Sequence, residues 1–240
     1  MIAKPVIKWA GGKYRLSTKI IQESQVFIDW DSFDRYVEPF VGGGGMVNLY
    51  RVLREQSDEL LKLLVALQME FNGLGSDEAR EQFYYRLREE FNRDVLLQDI
   101  SIEHAALFVA LNKLGFNGLY RVNNSGLFNV PFGKRKTIKL VDGQNLKKVS
   151  ELLQDTEILL GDFEETLRFA DDGTLFYFDS PYRPLSNTAT FTSYAKEDFN
   201  DDDQRRLARF CAQTHGLKAK FILSNSDPKN TQVDDEFFDE

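Results

Sequence analysis

Four consecutive residues, Asp179-Ser-Pro-Tyr182, follow an apolar stretch and combine an acid, a proline-stiffened turn and an aromatic ring. A carboxylate such as that of Asp179 accepts hydrogen bonds from amino groups, and a ring such as that of Tyr182 stacks on flat heterocycles. The same tetrapeptide is also compatible with a strand-ending turn whose tyrosine packs on the core. Taken alone, it leaves a site for a flat amine and a structural turn equally open.

A second candidate site is the run of four glycines at residues 42–45, which follows the strand-like residues 35–40. Glycine lets backbone N–H groups approach a ligand closely, and nucleotide-binding folds use this at the carboxyl ends of their strands. Many folds also place glycine in tight turns. The run therefore indicates a cofactor loop only in combination with other motifs.

Charge is distributed unevenly along this chain, whose formal net charge is −8. An acidic total argues against nucleic acid, because a DNA-binding surface must offset phosphate charge with Lys and Arg. Residues 1–22 and 105–141 nevertheless contain no Asp or Glu. The second stretch contains Lys113, Arg121, Lys134, Arg135, Lys136 and Lys139. Two basic segments in an acidic chain favour a nucleic-acid interface, with solvated basic loops as the alternative.

Length and composition are those of an ordinary globular protein, since 240 residues with 42% hydrophobic content can bury one sizeable core. No stretch approaches the roughly 20 apolar residues that cross a bilayer, and the N-terminus lacks the apolar centre of a signal peptide. We therefore expect a cytoplasmic protein. Cys211 is the single cysteine, which excludes an internal disulfide and a thiolate zinc site, and no metal is expected.

Hydrophobic spacing places these motifs in alternating strands and helices. Strands are predicted at residues 35–40, 156–160, 174–179 and 219–223, and helices at 48–71, 77–91, 102–114, 145–153 and 201–214. Residues 115–139 follow neither period, which indicates a long irregular loop or a short hairpin. The predicted fold class is α/β, a Rossmann-like and mostly parallel sheet with helices inserted after the glycine turn.

Taken in order, four segments resemble the DNA adenine methylase family, in which the cofactor motif comes first and the catalytic motif last. The segments are Lys8-Trp-Ala-Gly-Gly-Lys13; Glu38-Pro-Phe-Val-Gly-Gly-Gly44; Phe116-Asn-Gly-Leu-Tyr-Arg121 with Phe128-Asn-Val-Pro-Phe-Gly133; and Asp179-Ser-Pro-Tyr182 with Pro184-Leu-Ser186 and Phe191-Thr-Ser-Tyr194. They resemble the family's N-terminal signature, cofactor loop, recognition hairpin and catalytic strand end. The resemblance covers essentially the whole chain and implies a Dam-like, class alpha, S-adenosylmethionine-dependent methyltransferase.

The resemblance implies roles for individual residues. The catalytic residues are Asp179, Ser180, Pro181 and Tyr182. The residues that bind S-adenosylmethionine are Trp9, Lys13, Glu38, Phe40, Gly42, Gly43, Gly44, Asp162, Phe163 and Asp179. The residues that bind DNA are Lys8, Phe116, Asn117, Leu119, Arg121, Asn123, Pro131 and Lys134. His104 and His215 match nothing in the family pattern and are assigned to structure.

The resemblance also implies a division of the chain. Residues 1–50 and 150–240 form a discontinuous catalytic and cofactor-binding domain, and residues 51–149 form a DNA target-recognition subdomain with its hairpin loop at 115–139. The implied substrate is N6 of an adenine flipped out of duplex DNA, with GATC as the favoured target. A cognate restriction endonuclease is a candidate partner, while prophage protection and replication control fit the sequence equally well.

Two features depart from the family pattern. The family usually has proline where this chain has Ser180, although Pro181 still favours an extended backbone at the preceding residue. A fold of this kind also usually follows its glycine loop with a second strand that ends in a ribose-binding acid, about 20 residues on. Here Gly45 leads directly into helical sequence that contains Asp58 and Glu59. Either that strand is deleted, or the printed sequence joins two pieces across an absent one, and we favour the second.

Two other functions are compatible with the sequence. One is a DNA-binding relative with poor cofactor affinity and impaired catalysis, and the other is a methyltransferase that acts on RNA or on a small molecule. The basic, acid-free residues 105–141 argue against a small molecule. A filter assay with labelled cofactor and unmethylated duplex DNA separates the three.

Overall fold

A computed structural model of the chain describes residues 3–183 and 199–227, together with Lys229 and Phe237. The α-helices in this part of the chain are α1 (Ser17–Ser24), α2 (Gly44–Glu55), α3 (Ser57–Gly73), α4 (Asp77–Leu96), α5 (Ile102–Leu114), α6 (Gly143–Leu153) and α7 (Asp201–Gly216). The strands are β1 (Arg35–Val37), β2 (Thr174–Asp179) and β3 (Lys220–Ser224). Short 3₁₀ turns cover Lys13–Arg15, Trp30–Ser32, Phe116–Gly118 and Phe163–Phe169. The family-like motifs Pro184-Leu-Ser186 and Phe191-Thr-Ser-Tyr194 lie outside the described residues.

The described residues divide into two compact units. The helical unit contains the chain up to Leu16 and Gly42–Leu160, and the sheet unit contains Ser17–Val41 and the described residues from Gly161 onward. Helices and a small parallel sheet in one chain agree with the predicted α/β class.

The helical unit is built around α5, which is apolar on nearly every side. Ala105, Val109 and Ala110 are fully buried, and α5 packs against α2, α3 and α4. A helix that is apolar all round must lie inside a protein, so its position follows from its sequence. Ser101 begins the helix by accepting a hydrogen bond from the His104 amide (3.2 Å).

The prediction of one continuous helix over residues 48–71 is wrong. The structure has two helices, α2 and α3, which are separated at Gln56, where φ is −138° and ψ is 38°. Asp58 and Glu59 lie in the first turn of α3, where the helix dipole favours negative charge. Both helices bury apolar residues, so the apolar spacing continues across the break. The spacing alone therefore could not show that one helix ends and another begins at Gln56.

Side-chain amides hold the extended segments of the helical unit. In each case one asparagine accepts a hydrogen bond from the backbone N–H of a residue and donates one to the carbonyl of the same residue, at 2.8–3.0 Å. The pairs are Asn145 with Lys4, Asn112 with Lys8, Asn92 with Phe128 and Asn72 with Ile138. Each amide supplies the two bonds that a neighbouring strand would supply. Segments that carry basic residues are thereby fixed to helices without belonging to a sheet.

The sheet unit contains three parallel strands in the order β1-β2-β3. The central strand, β2, is the most apolar, and its Phe176 and Phe178 are fully buried against Phe210 of α7. Asn200 begins α7 by accepting hydrogen bonds from the amides of Asp202 and Asp203. Parallel pairing brings the carboxyl ends of the strands to one edge, with Asp179 opposite Ser224.

Residues 156–160 do not form the strand that the sequence predicted, so that prediction is wrong. Two backbone carbonyls of this segment accept hydrogen bonds from α2 instead, Thr156 from Arg54 (2.8 Å) and Ile158 from Arg51 (3.2 Å). Leu160 is 65% exposed. Arginine side chains therefore satisfy carbonyls that a sheet partner would otherwise satisfy.

No helix among the described residues combines the length and the apolar character needed to cross a membrane.

Candidate active site and candidate nucleic-acid interface

The tetrapeptide Asp179-Ser-Pro-Tyr182 stands at the carboxyl end of the central strand. Asp179 is the last residue of β2, and the exposed ring of Tyr182 follows it after a turn. The Tyr182 hydroxyl hydrogen-bonds to Ser224 Oγ at the end of β3 (2.6 Å). Ligands of open α/β sheets bind outside the carboxyl ends of the strands, so the segment occupies the expected edge.

The turn after Asp179 is fastened to α7. Gln204, which is buried, donates a hydrogen bond from Nε2 to the Pro181 carbonyl (3.0 Å), and Arg183 pairs with Asp201 (2.8 Å). Ser180 is 2% exposed, and its Oγ has no hydrogen-bond partner among the described residues. A buried hydroxyl without a partner costs about 1–3 kcal/mol of stability. The serine is thus an unfavourable residue for this position in the described structure.

Replacement of Ser180 by proline is expected to stabilise the protein and, if Asp179 is catalytic, to raise the rate of its reaction. The substitution removes the unpartnered hydroxyl and stiffens the chain next to Asp179, so we expect the free energy of unfolding to rise by about 1–2 kcal/mol. Denaturant titration and single-turnover kinetics measure the two effects.

Ser180→Ala is the matched control, because it removes the hydroxyl without adding the ring. It is expected to give most of the stabilisation and little of the rate increase. A Ser180→Pro protein that reacts more slowly than the parent would mean that the hydroxyl serves the reaction.

Glu38 follows β1 and is held by a tyrosine two residues before it. The Tyr36 hydroxyl donates a hydrogen bond to Glu38 Oε1 (2.7 Å). Partial burial of the phenol raises the pKa of Tyr36 above its usual value, and the neighbouring Glu38 carboxylate raises it further. The phenol therefore stays protonated and keeps donating to Glu38, which fixes the orientation of this carboxylate.

Phe40, Asp162 and Phe163 meet in the sheet unit. The rings of Phe40 and Phe163 lie 5.2 Å apart, and Asp162 begins the 3₁₀ turn Phe163–Phe169 by accepting a hydrogen bond from the Glu164 amide (2.9 Å). Desolvation would raise the pKa of Asp162, but the Glu164 amide and the Arg206 guanidinium outweigh it and lower that pKa. Asp162 is therefore an ionised acceptor beside an aromatic pair.

The glycine turn opens the helical unit, with Gly43 as the N-cap of α2. Gly42 has φ of +104°, and a Cβ there would lie 3.0 Å from Met46 Cγ and 3.4 Å from Trp9 Cζ2. At Gly43 and Gly44 a Cβ would meet nothing within 4 Å. Trp9 therefore lies against the turn, and the two following glycines expose their backbone to open space that a ligand can enter. Lys13, which follows Trp9 by four residues, donates a hydrogen bond from Nζ to the Gly11 carbonyl (2.7 Å).

Residues 115–132 form a short hairpin, one of the two forms predicted for residues 115–139. Antiparallel bridges join Gly115 to Phe132 and Val122 to Phe128. Asn123 Oδ1 accepts hydrogen bonds from the amides of Ser125 and Leu127 (3.0 Å each), which closes the turn at the tip. The predicted DNA-binding residues Phe116, Asn117, Arg121, Asn123, Pro131 and Lys134 are exposed, and Leu119 is half-buried.

Arg121 and Lys8 are both positioned by this hairpin. Arg121 donates from Nε to Asn129 Oδ1 (2.8 Å) and from Nη2 to the Asn129 carbonyl (3.4 Å), so Asn129 fixes the orientation of the guanidinium. Lys8 lies over Gly118, where a Cβ would meet Lys8 Cδ at 3.0 Å, and its backbone is held by Asn112. The N-terminal segment around Lys8 and the hairpin therefore pack against each other within the helical unit.

Sequence reasoning missed two residues that hold these groups in place. Asn112, 2% exposed on the apolar helix α5, bonds to the backbone of Lys8 and to the Gly118 carbonyl. A lone amide in an apolar helix was the available signal for this role. Arg206 binds Asp162 from a helix 44 residues later, and nothing in the local sequence indicates that contact. His104 stacks on Phe91 at 4.4 Å in the core, in line with its assignment to structure.

In the described part of the chain, no group of three or more His, Cys, Asp or Glu side chains is arranged to hold a metal ion. Burial raises the pKa of the Cys211 thiol to about 11, so this cysteine is a packing residue of the sheet unit.

Comparisons with known proteins identify the family to which these motifs belong. Residues 9–240 match the model of the D12 class N6 adenine-specific DNA methyltransferases. The chain is 41% identical to the type II methyltransferase M.MjaIII of Methanocaldococcus jannaschii, over 94% of this chain and 85% of that protein. It is 35% identical to the type II methyltransferase M1.LlaDCHI of Lactococcus lactis subsp. cremoris, over 93% and 81%, and 32% identical to a DNA adenine methylase of Haemophilus influenzae, over 95% and 82%. The M.MjaIII alignment runs over 248 positions, more than the 240 residues of this chain, so M.MjaIII carries residues that this chain lacks.

Proposed function

We infer the reaction of this chain from its family, because the chain belongs to the D12 class N6 adenine-specific DNA methyltransferases. It is an adenine-specific DNA methyltransferase. We propose that S-adenosylmethionine is the methyl donor, that the target adenine is flipped out of the duplex, and that GATC is the recognised sequence. The observation that carries this proposal is the placement of Asp179 and an exposed Tyr182 ring at the carboxyl end of the central strand.

The proposed chemistry follows from the weakness of the adenine amine as a nucleophile, because its lone pair is delocalised into the ring. Asp179 and the Ser180 carbonyl would accept its two N–H bonds and so localise the lone pair on nitrogen. Flipping the base costs a few kcal/mol, and stacking on Tyr182 returns about 1–3 kcal/mol. The contact of the Tyr182 hydroxyl with Ser224 holds the ring while leaving it exposed.

S-adenosylmethionine, when bound, supplies an electrophilic methyl group. In the sheet unit we assign Glu38, Phe40, Asp162, Phe163 and Asp179 to this cofactor, because an oriented carboxylate, an aromatic pair and an ionised acceptor suit its polar and heterocyclic parts. In the helical unit we assign Trp9, Lys13 and the glycines 42–44 to it. The open space beside Gly43 and Gly44 supports this assignment, since a ligand can reach the backbone there.

We propose that residues 51–149 recognise DNA and that the hairpin at 115–139 reads the target sequence. The acid-free composition of residues 105–141 and the exposure of Arg121 and Lys134 support this role. An arginine can contact guanine O6 and N7 together through two of its nitrogens, and Arg121 would exchange its long Nη2 bond to the Asn129 carbonyl (3.4 Å) for such a contact. An apolar residue such as Phe116 or Leu119 can wedge into the base stack. Lys8 and Asn117, Asn123 and Pro131 would line the same surface.

Arg121→Ala and Lys134→Ala are expected to weaken DNA binding in different ways. Loss of a base-reading arginine should cost about 1–3 kcal/mol and relax the preference at one base pair. Loss of a phosphate-binding lysine should weaken binding to all sequences and reduce its salt dependence. Fluorescence titrations of duplexes with single base changes, at several salt concentrations, distinguish the two.

Lys220→Ala, at the exposed amino end of β3 and outside residues 51–149, is the control and should leave both quantities unchanged. A uniform loss for Arg121→Ala across all duplexes would contradict its role in reading a base. Sequencing of DNA methylated by this protein tests the target, and cytosine methylation or the lack of any motif would contradict the proposed function.

A further inference from the structure

The Asp162–Phe163 corner of the sheet unit is held by one side chain from α7, that of Arg206. Arg206 Nη2 donates to both carboxylate oxygens of Asp162 at 2.9 Å and to Glu164 Oε2 at 2.9 Å. Arg206 Nη1 donates to Asp203 Oδ1 at 3.0 Å. One guanidinium thus binds three carboxylates. Two of them, Asp162 and Glu164, lie at the start of the 3₁₀ turn, and the third, Asp203, lies on α7.

The Arg206 guanidinium also lies over the ring of Phe163. Arg206 Cζ lies 5.0 Å from the centre of the Phe163 ring, which is buried and packs edge-on against Phe210 of α7 at 5.4 Å. A cation over a ring face is attracted by the electrons of the ring. Arg206 therefore fixes the carboxylate and the ring relative to each other.

The contacts of Asp162 fix its carboxylate while leaving part of it open to solvent. Its side chain accepts hydrogen bonds from Arg206 and from the Glu164 amide, and it also caps the turn through the Glu165 amide. The Asp162 side chain is still 45% exposed. An exposed, ionised and oriented carboxylate beside a ring is suited to an aromatic heterocycle that carries an amino group.

We propose that Arg206 is a positioning residue for the adenine of S-adenosylmethionine, acting through Asp162 and Phe163 without touching the cofactor itself. The proposal rests on the assignment of Asp162 and Phe163 to the cofactor under the proposed function. Without Arg206, Asp162, Glu164 and Asp203 repel one another, and the corner loses the charge that holds Asp162 in place.

Arg206→Gln tests the proposal, with S-adenosylhomocysteine as the probe in calorimetric titrations of the full chain. We expect its dissociation constant to rise about tenfold, while the affinity for duplex DNA stays within twofold. In kinetics, the KM for S-adenosylmethionine should rise by a similar factor and kcat should change less than threefold. Arg205→Gln is the matched control, because Arg205 is the neighbouring residue on α7 and pairs with Asp202 (3.2 Å) instead of this corner. The control should leave all of these values unchanged.

The pH dependence of S-adenosylhomocysteine binding distinguishes a positioning effect of Arg206 on Asp162 from a general loss of structure. The charged groups around Asp162 in the described residues are Glu164 and Glu165 on its own turn and Asp203 and Arg206 on α7. Removal of the guanidinium raises the pKa of Asp162, because only carboxylates remain beside it. As the pH is lowered, the Arg206→Gln protein should therefore lose affinity for S-adenosylhomocysteine at a higher pH than the parent does. Arg206→Lys, which keeps the charge but loses the fork of donors, should fall between the two.

Asp162→Ala distinguishes failure of this inference from failure of the proposed function. If Asp162→Ala weakens S-adenosylhomocysteine binding, the double variant with Arg206→Gln should be no weaker than Asp162→Ala alone. If Asp162→Ala weakens binding and Arg206→Gln does not, Arg206 has no positioning role. If neither Asp162→Ala nor Arg206→Gln changes binding, the assignment of Asp162 to the cofactor is overturned, and the role of Arg206 with it.

Discussion

Asp179→Ala is expected to abolish methyl transfer while leaving the affinity for duplex DNA within a few-fold of the parent. Asp179 ends the central strand, where it is paired with Ser224 of β3, and no other acid stands within the tetrapeptide. Removal of one oriented group that acts on developing charge typically costs a factor of about 10²–10³ in rate. Because Asp179 would both orient the amine and localise its lone pair, we expect a loss at or beyond the upper end of this range. Transfer of labelled methyl groups to unmethylated duplex DNA measures it.

Two further variants define what Asp179 contributes. Asp179→Asn keeps one acceptor oxygen but loses the charge, so it should retain more activity than Asp179→Ala. Asp172→Ala changes an exposed acid just before the amino end of the same strand and should behave as the parent. Normal turnover by Asp179→Ala would overturn the assignment of this residue to the reaction.

Sequence could predict those elements of the fold whose residues are fully buried or whose formation depends on local composition. The bounds of α5 and β2 agree with prediction, because a helix that is apolar on all sides and a buried strand with a polar end are marked by composition alone. The asparagine pairs that hold Lys4, Lys8, Phe128 and Ile138 were not predictable, because each joins residues far apart in the chain. Of the candidate site, sequence supplied Asp162 and Phe163 but not Arg206, whose contact depends on how α7 packs.

The wrong strand at residues 156–160 and the short glycine-to-helix connection have a common explanation. In the doubly wound strand order 3-2-1-4-5-6, the second strand lies between the first and the third. In the described sheet, β1 lies at an edge and pairs with β2 in the way that strands 1 and 4 of that order do. If the chain follows that order, residues 156–160 correspond to strand 3. If strand 2 is missing, strand 3 has no neighbour in the sheet, and its carbonyls are free to bind Arg51 and Arg54.

Strand 2 is also the one that carries the ribose-binding acid in folds of this kind. After the glycine run, the first acids are Glu55, Asp58 and Glu59. Glu55 is paired with Arg54 (2.6 Å) at the end of α2, and the other two lie in the first turn of α3. Under the proposed function, these helical acids do not replace a strand-ending partner for the ribose of S-adenosylmethionine.

If Gly45 and Met46 are joined in the protein, which is the less favoured of the two interpretations of the sequence, we expect it to bind S-adenosylmethionine weakly. Loss of a charge-assisted hydrogen bond of about 1.5–3 kcal/mol weakens affinity by one to two powers of ten, which calorimetry measures directly. The expectation requires that Gly45 and Met46 are joined in the protein. An intact mass of 27.7 kDa, and a tryptic peptide covering residues 36–51, would establish that junction. A clearly heavier chain without that peptide would show that the strand is present, and normal affinity would then be expected.

Insertion after Gly45 of a strand-and-turn segment that ends in Asp, taken from the corresponding part of a relative, should restore affinity for S-adenosylhomocysteine by about tenfold or more. The matched insertion with Asn at the strand end provides the same strand without the charge, so it should restore the sheet but only part of the affinity. Equal gains from both insertions would show that the strand acts through its packing and not through its acid. No gain from either, in proteins that unfold cooperatively, would show that the ribose of the cofactor finds its partner elsewhere in this chain.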